Sequence, residues 1–288
     1  MDAYYEKLSE LLQFHDIIRP SQELDETNVK EAVMAFQDHA NLYVDGVAGP
    51  NTLWALQIPY YATQSPMAIQ TLDADPTPQG MEGLANFTLR ADAAKAFRLI
   101  AKTVDEMGAK LHSSGGLRSL SAQSNASRSA KSMHYPGLAI DLCINAGFFH
   151  PDTDPYVITR VGEKSWTVWA RAAHGTAQML EAVYWRGPWT GGEVLTKIVE
   201  GAFINLTKLF AKHGFSAIAA RAGFLRASNR LYLSAEWWHF QAEGLLVPRL
   251  SQLGVELLRI KSYTPALIEA RNATLWANHR AIFKKNWW

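Results

Sequence analysis

The chain has 288 residues, of which 48% are hydrophobic and 19% charged, so it can form one large domain or two unequal ones with a packed core. Its single cysteine, Cys143, excludes an internal disulfide and thiolate-rich zinc sites. Any metal would therefore be bound by His, Asp or Glu. The net charge of +1 is too balanced for a generic nucleic-acid binder.

Charge is distributed unevenly along the chain. Residues 1–60 hold three Lys or Arg against ten Asp or Glu, so the remainder is basic, and we expect two differently built parts. Charged residues interrupt the N-terminal sequence, and no stretch reaches the ~18 apolar residues that a membrane span needs. We therefore expect a protein made in the cytoplasm without a signal peptide, which would need another route to a target outside the membrane.

The first 58 residues predict a small helical module. Apolar residues recur at helical spacing from Leu8 to Leu12 and from Val29 to Phe36. A turn follows at Asp45 to Gly49, and Pro50 suits the first position of a third short helix.

Three short motifs follow one another along this module. They are Phe36-Gln37, Val44-Asp45-Gly46-Val47-x-Gly49 and Thr52-x-x-x-Leu56. In this order they resemble the peptidoglycan-binding domain family, and the resemblance implies binding of cell-wall glycan or stem peptide. The alternative is an unrelated three-helix module, because each motif is also ordinary core and turn chemistry.

The rest of the chain predicts alternating helices and strands. Four prolines between residues 59 and 80 favour a linker. The periodicity then predicts a helix over Ala85–Val104, a buried strand over 138–144, a hairpin of 156–160 with 166–170, a helix over 195–213 that ends at Gly214, and a strand at the end of 231–241.

The first chemically informative segment covers residues 132–142. If 138–144 is a strand, Asp141 shares a face only with Ala139 and Cys143, which leaves room beside the carboxylate for an ion or ligand. His134 lies just upstream, and Pro136-Gly137 can turn it back towards Asp141. One His and one Asp are an incomplete catalytic zinc site, which usually takes three protein ligands and a water.

The second segment, 236–240, can supply the third ligand from His239. Glu236 lies three residues earlier, so in a straight strand the two side chains would face opposite ways. We therefore predict a bend near Trp237 that brings Glu236 close to the metal without making it a ligand. A free carboxylate beside a metal-bound water is the arrangement of metal-assisted hydrolysis.

Together the two segments fit the pattern S-x-H-x-x-G-x-A-x-D followed by E-x-W-H. The matching residues are Ser132, His134, Gly137, Ala139, Asp141, Glu236, Trp238 and His239. This pattern resembles the zinc peptidase family that contains the D-alanyl-D-alanine carboxypeptidases and dipeptidases and the phage L-alanyl-D-glutamate endopeptidases. The resemblance implies that His134, Asp141 and His239 bind Zn²⁺ and that Glu236 is the catalytic acid/base.

The same resemblance extends to Gly116-Leu117-Arg118-Ser119, with Leu117 in place of the family's usual aromatic residue. It implies that Arg118 contacts substrate and stabilises the tetrahedral intermediate, where negative charge develops. Substrate-binding candidates are Arg118, Ser132 and Trp238. The plainer alternatives are a surface ion pair for Arg118 and a loop hydrogen bond for Ser132. Cys143 can approach the metal, although a small buried cysteine is the commoner outcome.

One departure from the family concerns spacing, because 98 residues separate Asp141 from His239, which is long for the smaller members. The extra length is expected at about 150–200 and contains four tryptophans. These are more often core residues than an aromatic wall for a peptide or glycan. Substrate specificity, rather than metal chemistry, is what this departure puts in doubt.

We therefore expect an α+β protein, with a small three-helix N-terminal domain and a zinc peptidase domain that has a central antiparallel sheet and flanking helices. The predicted parts are 1–58, the linker 59–80, the peptidase domain 81–248 and a basic segment 249–288 that ends in Trp287 and Trp288. This last segment suits contact with an anionic membrane or lipopolysaccharide surface. It equally suits a helix that packs back on the catalytic domain.

The expected function is a monomeric, endolysin-like peptidoglycan hydrolase that cleaves an amide bond of the stem peptide or cross-link with zinc-activated water. It would bind peptidoglycan and no nucleic acid, and it would reach the cell wall after holin-type release or injection. The alternative is a non-catalytic wall-binding or structural protein that keeps a zinc site. A metal-site signalling domain is a third hypothesis, which the wall-binding module disfavours.

Overall fold

A computed structural model describes residues 3–40, 42–122, 131–226, 230–246 and 251–273. This part of the chain is mixed α and β, with seven α-helices and antiparallel sheets, which agrees with the α+β prediction. The chain divides into two compact units. The terminal unit comprises Met1–Ala68, Leu120–Gln123 and Leu246–Trp288, and the central unit comprises Ile69–Ser119 and Ser124–Leu245. In the described residues no helix is both long and apolar enough to cross a membrane.

The terminal unit contains the three predicted N-terminal helices. They are α1 (Ala3–Phe14), α2 (Val29–His39) and α3 (Pro50–Thr63). Their apolar faces form one buried core, made mainly of Leu8, Leu11, Leu12, Ile18, Leu24, Ala32, Val33, Phe36, Ala55 and Leu56. Pro50 starts α3, as expected, because its missing N–H costs nothing at a helix N-terminus.

A buried amide organises the loop between α2 and α3. Gln37 is 1% exposed, and its Nε2 donates to Asp45 Oδ1 at 2.8 Å, to the Val47 carbonyl at 3.0 Å and to Thr52 Oγ1 at 3.1 Å. Its Oε1 accepts from the backbone N–H groups of Asp45 and Gly46. Gly46 has φ +74°, a conformation that suits glycine. The Gln and Asp-Gly motifs thus specify one rigid loop.

The described C-terminal residues belong to the terminal unit as well. Helix α6 (Leu253–Leu258) is buried and packs on α3, and α7 (Pro265–Arg271) follows it. The Met67 N–H donates to the Arg259 carbonyl at 2.6 Å, and the Asn272 side chain donates to the Leu120 carbonyl at 3.0 Å. As far as residue 273, this segment therefore forms helices that belong to the terminal unit. The basic, Trp-ended stretch 274–288 lies outside the described residues, so its predicted membrane contact stays a prediction.

The central unit begins with an antiparallel hairpin of β1 (Ile69–Asp73) and β2 (Asn86–Arg90), followed by α4 (Ala91–Glu106). The prediction of a helix from Ala85 is therefore wrong over residues 85–90. Phe87 and Leu89 are buried on alternate positions of β2, and pairing with β1 outweighs the apparent helical spacing. The segment predicted as a linker, 59–80, contains the end of α3 and all of β1.

A four-stranded antiparallel sheet lies at the centre of this unit. Its strands are β3 (Ser113–Gly115), β4 (Ala139–Leu142), β9 (Ser216–Ala217) and β10 (His239–Gln241), in the order β3-β4-β10-β9. The strands predicted within 138–144 and at the end of 231–241 are thereby confirmed. In the ladder of β10 with β4, His239 lies directly opposite Asp141.

The predicted insertion forms a second sheet of four strands that closes on itself in the order β5-β6-β8-β7. The strands are β5 (Tyr156–Arg160), β6 (Trp166–Arg171), β7 (Ala177–Arg186) and β8 (Glu193–Asn205). The β5–β6 hairpin is confirmed. The helix predicted over 195–213 is wrong as far as Asn205, because β8 pairs with β7 over its first ten residues. The helix, α5 (Leu206–Lys212), starts after it and ends before Gly214, which has φ +86° as a C-terminal glycine should.

We predict that Gln37→Leu lowers the free energy of unfolding of the terminal unit by about 2–4 kcal/mol, because several buried polar groups lose their partner. Chemical denaturation of the full chain measures the effect. Gln22→Leu is the matched control, since Gln22 is exposed and its substitution should change stability by less than about 0.5 kcal/mol. Equal stability of the two variants would show that the Gln37 network does not hold the loop.

A second prediction concerns His15, whose Nε2 lies 3.0 Å from the Leu56 carbonyl. Burial lowers the pKa of His15 to about 4. His15 in the unfolded chain therefore binds a proton at about pH 6.5, whereas in the folded unit it binds one only near pH 4. The stabilisation is consequently complete above pH 6.5 and is lost as the pH falls towards 4. The loss amounts to about 3 kcal/mol.

NMR titration of the His15 ring in the full chain measures this pKa. In parallel, His15→Gln should flatten the dependence of stability on pH between 7 and about 4.5, because the variant has no titrating ring. A midpoint near the ordinary histidine value of about 6.5 would contradict the prediction.

Candidate metal centre

The structure brings the three predicted ligands together at the β4–β10 ladder. Asp141 and His239 are direct partners across the two strands, so their side chains project from the same face. His134 reaches this face from a tight turn in which the Gly137 N–H donates to the His134 carbonyl at 3.1 Å. Gly137 has φ +67°, and a Cβ there would lie 2.8 Å from the Arg90 backbone nitrogen, so the turn requires glycine.

The potential ligand atoms of these three residues all lie within 4.8 Å of one another. His134 Nε2 is 3.2 Å from Asp141 Oδ2, His239 Nδ1 is 2.9 Å from Asp141 Oδ1, and the two ring nitrogens are 3.2 Å apart. Ligand atoms around a tetrahedral Zn²⁺ with bonds of about 2.0–2.1 Å lie about 3.3 Å apart. The three side chains thus have the spacing of a zinc ligand set.

Outer hydrogen bonds fix which ring nitrogen faces inward. His134 Nδ1 lies 2.6 Å from the Gly116 carbonyl, which only accepts, so Nδ1 carries the proton and Nε2 presents a lone pair. His239 Nε2 lies 3.4 Å from Gln241 Oε1, and the Gln241 amide is oriented by donating to Glu243 at 2.5 Å. His239 Nδ1 is therefore the ring nitrogen that faces inward, 2.9 Å from Asp141 Oδ1.

A proton on His239 Nδ1 accounts for the 2.9 Å contact with Asp141 Oδ1; once that proton is lost, His134 Nε2, His239 Nδ1 and Asp141 present three acceptor atoms to one point. Such a cluster is compensated by a cation or by an added proton. Outer-shell hydrogen bonds of this kind, from each imidazole to a carbonyl oxygen, are typical of metal-ligating histidines, and they favour the metal. The side chains of His134, Asp141 and His239 therefore fit Zn²⁺ in type, spacing and outer hydrogen bonds.

Charge in the cluster follows from the same contacts. Burial alone would raise the pKa of Asp141, but the two neighbouring imidazoles hold it well below its usual range. Burial opposes the charging of His239, whereas its hydrogen bond to Asp141 and the nearby carboxylates raise its pKa overall. Asp141 is therefore anionic at neutral pH, which suits a residue that would bind a metal ion.

Glu236 lies in the predicted bend and outside strand β10. Its backbone has φ +53°, and its carbonyl accepts from the His239 N–H at 3.2 Å, which closes a turn from 236 to 239. The bend predicted near Trp237 is thus confirmed, and a left-handed non-glycine residue is costly enough to be typical of functional sites. Burial raises the pKa of Glu236, against the opposing charge of Arg221, whose NH2 lies 2.5 Å from Glu236 Oε1.

Arg118 lies one hydrogen bond from the ligand His134, because its N–H donates to the His134 carbonyl at 2.9 Å. Its guanidinium carbon is 5.6 Å from the centre of the Tyr135 ring. Within the described part of the chain, its buried NH1 has no hydrogen-bond partner. A buried guanidinium nitrogen without a partner suits a residue that donates to a bound ligand.

The remaining candidates have more ordinary surroundings. Ser132 Oγ accepts from the His134 N–H at 3.3 Å, the loop hydrogen bond proposed as its plainer role. Trp238 is 4% exposed and stacks on Tyr232 with ring centres 5.7 Å apart. Cys143 is buried, and its thiol contacts the Glu82 carbonyl at 3.3 Å. Substrate binding by Ser132 and Trp238 stays a prediction.

Sequence reasoning missed three contacts of the site. The Gly116 carbonyl contacts the His134 ring, Gln241 Oε1 contacts the His239 ring, and Arg221 pairs with Glu236. The contact of Gln241 with His239 could have been predicted, because residues two apart in a strand lie on the same face. Nothing in the sequence marked Arg221, because it is distant from both motifs.

Comparison with known proteins identifies the N-terminal module. Residues 7–56 match the family model described as "Putative peptidoglycan binding domain", so this chain has an N-terminal peptidoglycan-binding domain that associates it with the cell wall. No curated protein and no solved structure shows significant similarity to the chain.

We predict that the protein binds one Zn²⁺ and that His134→Ala, Asp141→Ala or His239→Ala each weakens binding at least about 100-fold, because each removes one of three ligands. Competition with a chromophoric chelator measures the affinity. His174→Ala is the control, since His174 is exposed and outside the cluster. Unchanged zinc affinity in the three ligand variants would refute the site.

Proposed function

We propose that the protein is a zinc-dependent peptidoglycan hydrolase, which cleaves an amide bond in the stem peptide or cross-link. The observation that carries the proposal is the convergence of His134, Asp141 and His239 beside Glu236, a carboxylate that is not one of the ligands. The peptidoglycan-binding domain supports the choice of substrate, since it would raise the local concentration of wall peptides. The resemblance of both motifs to zinc peptidases of wall peptides points to the same bond class.

Zn²⁺, when bound, would lower the pKa of its bound water to about 7 and polarise the scissile carbonyl. Glu236 would accept the proton of the attacking water and deliver it to the leaving amine nitrogen, so that water and amide become a carboxylic acid and an amine. Its raised pKa suits this exchange, because the best proton carriers titrate near the working pH.

Arg118 would donate to the oxygen that becomes negative as the tetrahedral intermediate forms. Its buried NH1 has no hydrogen-bond partner among the described residues, so donating to a substrate oxygen would break no hydrogen bond with them. The site would work outside the cytoplasm, after release or injection, because its substrate is the wall. This localisation and a monomeric state are parts of the proposal.

We predict that zinc-loaded protein releases peptide fragments from purified peptidoglycan and that Glu236→Gln slows release by roughly 10²–10⁴-fold, because the proton carrier is lost. Mass spectrometry of the fragments measures the rate and identifies the cleaved bond. Glu181→Gln is the matched control, as Glu181 is an exposed carboxylate on β7.

Each other outcome has a distinct meaning. Equal cleavage by the wild type and Glu236→Gln would show that Glu236 is not the acid/base. If the zinc-loaded wild type sediments with the wall but releases nothing, the protein is a wall-binding protein with a structural metal site, and the hydrolase proposal fails.

A further inference from the structure

Glu236 combines a strained backbone conformation with a buried carboxylate. Its backbone is left-handed at φ +53°, and its side chain is only 8% exposed. Both features are costly, because a non-glycine residue is strained there and a buried carboxylate loses its hydration. The surrounding structure must therefore compensate.

Arg221 supplies the compensating charge. Its NH2 lies 2.5 Å from Glu236 Oε1, the ion pair that the described residues offer to this carboxylate. The Arg221 backbone is held by two hydrogen bonds. Its backbone N–H donates to the Ser234 carbonyl at 2.8 Å, and its carbonyl accepts from the Phe224 N–H at 2.9 Å. The arginine thus connects the segment before Glu236 with the Glu236 side chain.

The ion pair joins Arg221 NH2 to Oε1 of the carboxylate. The proposed proton exchange is assigned to the other oxygen, Oε2. The Arg221 side chain is itself 42% exposed, which leaves the far side of its planar guanidinium in solvent. Held in this way, the carboxylate cannot rotate freely about its last bond.

We propose that Arg221 is a positioning residue, which orients the Glu236 carboxylate for proton transfer by binding Oε1. This inference rests on the proposed function. It differs from two other roles for the same contact: an ion pair that only stabilises the fold, and an inhibitory contact that keeps Glu236 from the substrate. The three roles make different kinetic predictions.

The first experiment compares peptide release by the zinc-loaded full chain and its variants. Arg221→Gln should lower kcat by roughly 10–100-fold and leave KM within about twofold, because orientation and not substrate affinity is lost. Arg221→Lys should recover part of the rate, since it keeps the charge without the planar fork. Arg226→Gln is the matched control: Arg226 is an exposed arginine on the same segment.

Chemical rescue separates positioning from a structural role. Because the Arg221 side chain is partly exposed, guanidinium ions at millimolar concentration should restore part of the kcat of Arg221→Ala without affecting Arg226→Ala. Zinc content and circular dichroism establish that the variants are folded. Wild-type kcat in Arg221→Gln overturns the proposal, as does a rise in kcat, which would show an inhibitory contact.

A second experiment needs no activity. In metal-free protein, melting temperatures of Arg221→Gln, Glu236→Gln and the double variant form a mutant cycle. Each single change should lower the melting temperature by about 4 °C, and the double change should lower it by no more than the larger single one. Additive shifts would show that Arg221 does not hold Glu236. If the wild type releases no peptide, the proposed function fails, while this cycle still decides whether the pair exists.

Discussion

The candidate site depends on the register of two short strands. His239 and Asp141 are opposite residues in the antiparallel ladder of β10 with β4, and this pairing places their side chains next to each other on one face. A slip of one residue would send one of them to the other face of the sheet. The third candidate ligand, His134, depends on a different contact, because Gly137 of its turn packs against the backbone of Arg90 at the end of β2.

Two carboxylates in one site then acquire different chemistry from their surroundings. Asp141 faces two imidazoles that hold its pKa low, so it stays charged and suits a metal. Glu236 is buried, which raises its pKa against the opposing charge of Arg221. Environments that separate the pKa values of neighbouring acids are how enzymes assign different roles to one residue type. The different roles proposed for Asp141 and Glu236 therefore follow from local packing and charge.

The sequence predicted that His134, Asp141 and His239 come together, but it predicted the elements around them less well. Ligand types and spacing are short-range signals, and so is the bend at Glu236, which follows from the geometry of a strand. Strand β8 was mistaken for a helix because its partner β7, which overrides local preference, is not visible in a local pattern. The Arg221–Glu236 pair was missed for a related reason, since a contact between distant segments exists only once the chain has folded.

The insertion contacts the segment that leads into Glu236. The Trp166 indole N–H donates at 2.8 Å to the carbonyl of Ala235, the residue before Glu236. The Tyr232 N–H donates to the Trp189 carbonyl, and the Tyr232 ring stacks on Trp238. Of the insertion's tryptophans, Trp166 and Trp185 are buried and Trp189 is half-exposed. Trp166 thus contacts the residue that precedes the strained turn at Glu236, so the extra length between Asp141 and His239 helps to position the proposed acid/base.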